Sequence, residues 1–158
     1  MFKKIAFAAP LAVLALSSSM AFAATEARHS INLVAHVPSD DFYAIPVDAD
    51  LVNKDQDMSY NPAIGGMRTV DGHFDVLHTA GKVNARLEGT PKLISGNKYI
   101  DLKVELNGKE LNTISQEVVG ADESNISYRA PFKISAQGTK FDAGDYTGVV
   151  MLVVEPSV

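Results

Sequence analysis

The sequence predicts an all-β fold, a two-sheet sandwich of immunoglobulin-like character, and three observations carry that prediction. From Ala24 onward, short apolar runs rich in Val, Ile, Tyr and Phe alternate with clusters of Gly, Pro, Asn and Asp, the pattern of short strands and their turns. No segment keeps an apolar stripe at helical spacing over three turns, as an amphipathic helix would. Asn107-Gly108 stands between Leu102-x-Val104-x-Leu106 and the run Lys109 to Ile114, and Asn-Gly supplies the two positive φ angles of a type I′ hairpin. About seven to nine short strands in a single exported domain fit a sandwich.

The first segment has the parts of a secretory signal: Lys3 and Lys4, the apolar run Ile5 to Leu16, and Ala21-Phe22-Ala23 with small residues at a cleavage site. Cleavage is expected after Ala23. The apolar run is shorter than the roughly 20 residues of a bilayer span, so residues 1–23 read as a signal peptide rather than an anchor. Next comes Ser30-Ile-Asn-Leu-Val-Ala-His-Val37, cut off by Pro38. Alternation puts Ile31, Leu33, Ala35 and Val37 on one face of a strand and Ser30, Asn32, Val34 and His36 on the other. One face therefore needs an apolar partner. On residue pattern alone this is most simply an ordinary first strand of its own domain; the alternative partner is the groove of a neighbouring copy.

Further strands are expected near Phe42 to Asp48, Met58 to Asn61, Gly72 to Thr79, Val83 to Leu87, Tyr99 to Leu106, Lys109 to Ile114, Ser127 to Ser135 and Tyr146 to Val154. Gly65-Gly66 and Ser95-Gly96-Asn97 read as turns, and Val118 to Glu123 as a loop or brief helical turn. In the last run, Gly144 tightens a bend, Tyr146 fills a sheet face and Gly148 lets something approach closely. The half from Val149 to Val154 is apolar on both faces, which suits a strand at the centre of a sheet. Something is expected to lie on the free edge of that strand; in an ordinary sandwich it would be one more strand of the same chain, but the given sequence runs only about four residues further, to Val158.

Composition excludes several function classes. There is no cysteine, so thiol chemistry and disulfides are out, although an exported location permits the latter. The formal net charge of −5 becomes −7 once Lys3 and Lys4 leave with the signal, an unsuitable balance for binding nucleic acid. Of His29, His36, His73 and His78, the last two are five apart in an expected strand and face opposite ways. No close-set pair of metal ligands occurs, and no metal or cofactor is expected. Asp40-Asp41 and Asp55-x-Asp57 lack the closing Glu of a calcium loop, while Arg68, Arg86 and Arg129 read as solvated strand residues. No Gly-x-Ser-x-Gly elbow is present; no catalytic residue is assigned and the chain does not read as an enzyme.

Two blocks, Asn32-Leu-Val-Ala-His-Val-Pro38 and the run from Ala143 to Val154 with its Ala-Gly-x-Tyr-x-Gly-Val-Val core, resemble major pilins of the colonization factor antigen family, the class 5 fimbriae of the alternate chaperone-usher pathway. The resemblance implies an incomplete immunoglobulin-like sandwich that lacks its final strand and is completed by a donor strand from a neighbouring subunit. It implies an N-terminal donor-strand extension over residues 24–37, with Ile31, Leu33, Ala35 and Val37 as donor side chains. The pilin domain is then residues 38–158, with Tyr146, Gly148, Val150, Leu152 and Val154 on one wall of the acceptor groove; the resemblance assigns no residues to the other. The implied partners are identical pilin subunits, a periplasmic chaperone, an outer-membrane usher and a tip adhesin subunit, and the implied destination is a cell-surface fimbrium reached through the periplasm. Single-domain length favours the shaft over the tip. The alternative is a free periplasmic or secreted immunoglobulin-like domain that binds a ligand and folds alone.

Overall fold

The computed structural model describes residues 41–158; the expected signal segment and the expected strand Ile31 to Val37 lie outside the described residues. In order, the chain forms β1 (Phe42–Pro46), α1 (Asp50–Asn53), β2 (Tyr60–Asn61), β3 (Gly66–Met67), β4 (Val70–His78), β5 (Lys82–Leu87) and β6 (Lys92–Ser95). Then follow β7 (Lys98–Leu106), β8 (Lys109–Glu110), β9 (Gln116–Val119), α2 (Ala121–Ser124), β10 (Tyr128–Ala136) and β11 (Leu152–Ser157). The larger sheet has the order β1-β4-β10-β7-β6, with β8 on the end of β7; the smaller is β11-β5-β9, and β2 and β3 make a separate hairpin.

Period-2 alternation explains how the two sheets meet. Val70, Phe74, Val76 and His78 of β4, Val83, Ala85 and Leu87 of β5, Ile100, Leu102, Val104 and Leu106 of β7, and Ala130 and Phe132 of β10 all turn inward and are buried. Phe74 and Phe132 meet edge to face with ring centroids 5.3 Å apart, an arrangement the ring quadrupoles favour. His78 faces this interior, its Nδ1 2.9 Å from the Lys82 carbonyl oxygen and its ring edge-on to Phe42, while His73 faces outward.

The registers fix two poles. At one, β4 ends at His78, β5 begins at Lys82, β10 begins at Tyr128 and β11 ends at Ser157, paired with Lys82. At the other lie Val70 of β4, paired with Ile134, and the turn from Ser95 to Lys98 between β6 and β7. β1 enters at the first pole, where Phe42 pairs with His78 and the amide of Thr79 donates to the carbonyl of Asp41 at 3.0 Å.

Several boundaries differ from expectation. β6 and β9 are strands where none was expected, and the Gly65-Gly66 turn belongs to the β2–β3 hairpin. The Val118 to Glu123 segment divides between the end of β9 and the single turn α2. The expected strand Lys109 to Ile114 stops at Glu110: ladder pairing with β7 covers Lys109 and Glu110, the Leu111 amide still donates to the Val104 carbonyl, and at Asn112 the chain turns to Leu87 of the smaller sheet. The largest correction concerns the extent of the run Tyr146 to Val154, expected as one strand. Regular pairing begins only at Leu152 and runs to Ser157, and among the described residues β11 is an edge strand whose ladder partner is β5 alone. Residues 146–151 have no continuous ladder to complete.

Candidate functional site

An apolar groove of about 860 Å³ opens along the side of the sandwich where β11 forms the edge. Its floor consists of core side chains of the larger sheet: Val70 and Phe74 from β4, Ile100 and Leu102 from β7, Phe132 and Ile134 from β10. One wall is the segment leading into β11, with Tyr146, Gly148, Val150 and Leu152 along it; the other is the stretch from Leu51 to Tyr60, with Met67 of β3. Tyr60 and Phe141 approach each other from the two walls, ring centroids 6.2 Å apart. The charged lining residues Lys54, Asp55, Asp57, Asp142 and Asp145 belong to the walls, and the floor is aliphatic and aromatic throughout.

Residual exposure within the core marks the groove independently. Floor residues Val70, Phe74, Ile100, Leu102 and Phe132 retain 5–7 % of their surface, whereas every other buried apolar residue retains 4 % or less. The sandwich is thus sealed around Val76, Val83, Val104 and Leu106 and open over the groove floor, an arrangement that costs the isolated domain part of its apolar burial.

The wall formed by the C-terminal segment is built by close backbone approach. Thr147 exchanges two backbone hydrogen bonds with Ile94 of β6, at 2.8 and 3.1 Å, tying this segment to the larger sheet before β11 joins the smaller one. Any Cβ at position 148 would run into the Lys92 carbonyl oxygen, so glycine is what lets the two chains cross here. Gly144 lies against Ser95, where a Cβ would be 3.0 Å from the Oγ, and the Lys98 ammonium donates to the Ala143 carbonyl at 3.0 Å.

Four of the five expected wall residues, Tyr146, Gly148, Val150 and Leu152, thus lie along the groove. Val154 does not; it pairs with Ala85 and packs into the core cluster. Ile31, Leu33, Ala35 and Val37 lie outside the described residues. The floor and the second wall had no signal as a site in the sequence, since the floor residues read as ordinary core, Met58 to Asn61 as one more strand, and the residues from Leu51 to Asp57 as a connection between strands. Of the arginines, Arg129 makes a bidentate pair with Asp75 at 2.9 and 3.0 Å on the outer face of the larger sheet, Arg68 stands 4.0 Å from Asp57, and Arg86 sits beside Val153. Among the described residues no group of three or more His, Asp or Glu is placed to hold a metal ion.

In chemical terms the site accepts a strand. The free edge of β11 presents peptide groups without ladder partners, and alternate side chains of an added strand would drop onto the apolar floor.

Comparison with known proteins gives concordant results. The sequence model of the CS1 type fimbrial major subunits matches residues 27–155. Among solved structures, the fold is similar to the CooA pilin subunit from enterotoxigenic Escherichia coli, with a TM-score of 0.56 and 19% identity over 71% of this chain and 86% of that one. It is also similar to a chain of a chaperone-tip adhesin complex of CFA/I fimbriae biogenesis, with a TM-score of 0.52 and 14% identity over 75% of this chain and 42% of that one. No curated protein sequence matches.

Proposed function

Since the chain belongs to the family of CS1 type fimbrial major subunits, we propose that its apolar groove is the acceptor for residues 24–37 of the next copy, and that repetition of this joint builds the fimbrial shaft. The observation that carries the reading is the groove itself: an opening of about 860 Å³ onto the hydrophobic core beside an unpaired strand edge. The match to the family begins at residue 27 and so includes the donor side chains Ile31, Leu33, Ala35 and Val37. At about 3.3 Å per residue, the fourteen-residue extension spans roughly 45 Å, enough to run the length of a domain. Burying Ile31, Leu33 and Val37 brings about 1.5–3 kcal/mol each, and ladder hydrogen bonds along β11 add to it. Each copy donates at one end and accepts at the other, so the contact is heterologous and extends without closing.

The role is structural, and the floor of aliphatic and aromatic side chains offers no group for a catalytic step. Before assembly a periplasmic chaperone occupies the same groove; the likeness to a chain of a chaperone-tip adhesin complex supports a chaperone and a tip adhesin as partners. An outer-membrane usher follows from the same pathway, and the product is a cell-surface fimbrium. The test is Leu33→Asp, which places a charge on the donor face and leaves the groove untouched. Expected are loss of fibres by electron microscopy and retained co-purification with the chaperone; normal fibres would remove Leu33 from the joint and overturn the reading.

A further inference from the structure

Beyond the joint itself, and resting on the donor-strand reading, we infer that the His78 pole of each subunit is a second interface, seated against the opposite pole of the copy that accepts its extension. The described chain starts at this pole: Asp41 bonds to Thr79, and Phe42 pairs with His78. Between the last donor side chain, Val37, and Asp41 stand only Pro38, Ser39 and Asp40. That is four peptide steps and a reach of about 14 Å at most. A subunit whose groove holds Val37 has no room to stand clear of this pole.

The pole carries exposed apolar side chains among its polar ones, Asp41, Asp122 and Glu123. Ile126, in the connection from α2 to β10, is 71 % exposed, and Val158 is 97 % exposed. Both belong to segments that meet Gly81: the hydroxyl of Ser124, two residues before Ile126, donates to the Gly81 carbonyl at 2.6 Å, and the backbone of Ser157 and Val158 stands where a Cβ on Gly81 would project. Nothing in the groove or the core uses either side chain.

The partner surface follows from the placement of the groove. Its lining includes Val70, Ile100, Ile134 and the loop from Phe141 to Tyr146, all toward the Val70 pole, and includes neither Ile126 nor Val158. A strand attached to one subunit's His78 pole therefore enters its neighbour at the Val70 pole, and unlike surfaces meet, as a heterologous contact requires. Beside that mouth the β2–β3 hairpin, whose Tyr60 and Met67 line the groove, carries Ile64, 68 % exposed. Ile126 and Val158 of one copy are assigned to the surface formed by Ile64 and the 138–145 loop of the next.

The chain contains no cysteine, so introduced thiols report without background. Fibres assembled from a chain carrying Ile126→Cys with Ile64→Cys, or Ile126→Cys with Lys140→Cys, are treated with a short bis-maleimide and then denatured. The expected result is a ladder of covalent oligomers from at least one pair, and none from Ile126→Cys with Arg129→Cys, whose second thiol lies on the outer face of the larger sheet, away from the Val70 pole. Assembled fibres that give no ladder from either of the first two pairs, or a ladder only from the Arg129 pair, overturn the second interface and leave the donor joint standing. Failure of the donor joint itself is read separately, as fibres that survive Leu33→Asp. As a second measurement, Ile126→Asp is expected to leave assembly intact but let fibres dissociate several-fold faster in guanidinium; an unchanged rate also overturns the inference.

Discussion

A methyl group at position 148 would collide with the Lys92 carbonyl, and relief requires the C-terminal segment to back away from β6. Gly148→Ala is therefore expected to cost about 1–3 kcal/mol, as overpacking in a well-packed region does, and to loosen the pair of hydrogen bonds between Thr147 and Ile94. Urea unfolding measures the cost, and faster amide exchange at Thr147 reports the loosening. The sequence announced a close approach at Gly148 but not its partner, since Lys92 is distant in the chain and sits in a strand with little signal of its own. A second residue-scale prediction concerns the outer face. The hydrogen bonds that Arg129 donates to Asp75 outweigh the opposing desolvation and hold that carboxyl below its ordinary value, with the charges of Arg129 and His73 assisting. The folded carboxylate takes up its proton at lower pH than the unfolded one. The pair's stabilisation is thus full above the ordinary carboxylate range and drains away as pH falls through the lowered value. Asp75→Asn is expected to flatten the fall of Tm below about pH 4; because the pair faces solvent, the change at neutral pH should be small. An undiminished acid slope would show that other carboxylates govern it.

Among the elements, the turn of the β7–β8 hairpin was legible because its signal is local, although its second strand is shorter than expected. Asn107 and Gly108 have φ of 53° and 73°, and positive φ at both is what Asn-Gly provides. The structure adds that the Asn107 side-chain amide donates to the Val118 carbonyl at 2.7 Å while its oxygen accepts from the Tyr128 hydroxyl at 3.1 Å, so the turn also ties the two sheets. Gly108→Ala should cost about 1–2 kcal/mol, the usual penalty of a Cβ in the left-handed region. Asn107→Ala should cost more, since it also removes both tertiary bonds; equal losses in urea unfolding would mean those bonds contribute nothing. Legibility fails where pairing rather than local sequence makes the strand. In β9, Val118 and Val119 are both buried, which breaks the period-2 pattern, and the cause is a register shift opposite Val83 and Asn84 that only the partner strand reveals. β6 is four residues, Lys92–Ser95, between a proline and a turn glycine, too short to show alternation. At β11 the apolar pattern suits a strand with two neighbours; the described chain supplies one, β5, and leaves the other edge open.

At the scale of the molecule, that unfilled second position beside β11 is the point at which sequence and structure agree most usefully, because an edge apolar on both faces in sequence proves to be an edge beside an open core. The poles turn this into a prediction about connectivity. In the proposed fibre, the donor's Val37 lies at its acceptor's Val70 pole, so the start of the donor, near Ala24, lies toward the acceptor's His78 pole. Ser157 and Val158 of the acceptor stand at that same pole. A chain with residues 24–37 deleted from the front and appended after Val158 can therefore turn back on itself and run antiparallel to β11. A linker of about four residues, the length of an ordinary hairpin loop, should suffice. The rearranged chain is expected to be a stable monomer by light scattering, with Ile31, Leu33 and Val37 returning roughly 5–9 kcal/mol of gross burial against the cost of ordering the strand. Deletion without replacement should leave a domain that aggregates or stays with its chaperone, because the floor of the groove is then exposed to water. Linker length separates the two possible directions of the donor: a strand running parallel to β11 would have to start at the far pole, and only a linker long enough to span the domain would then yield monomers. Aggregation with the short linker and rescue by the long one would reverse the assigned direction and with it the pairing of unlike poles.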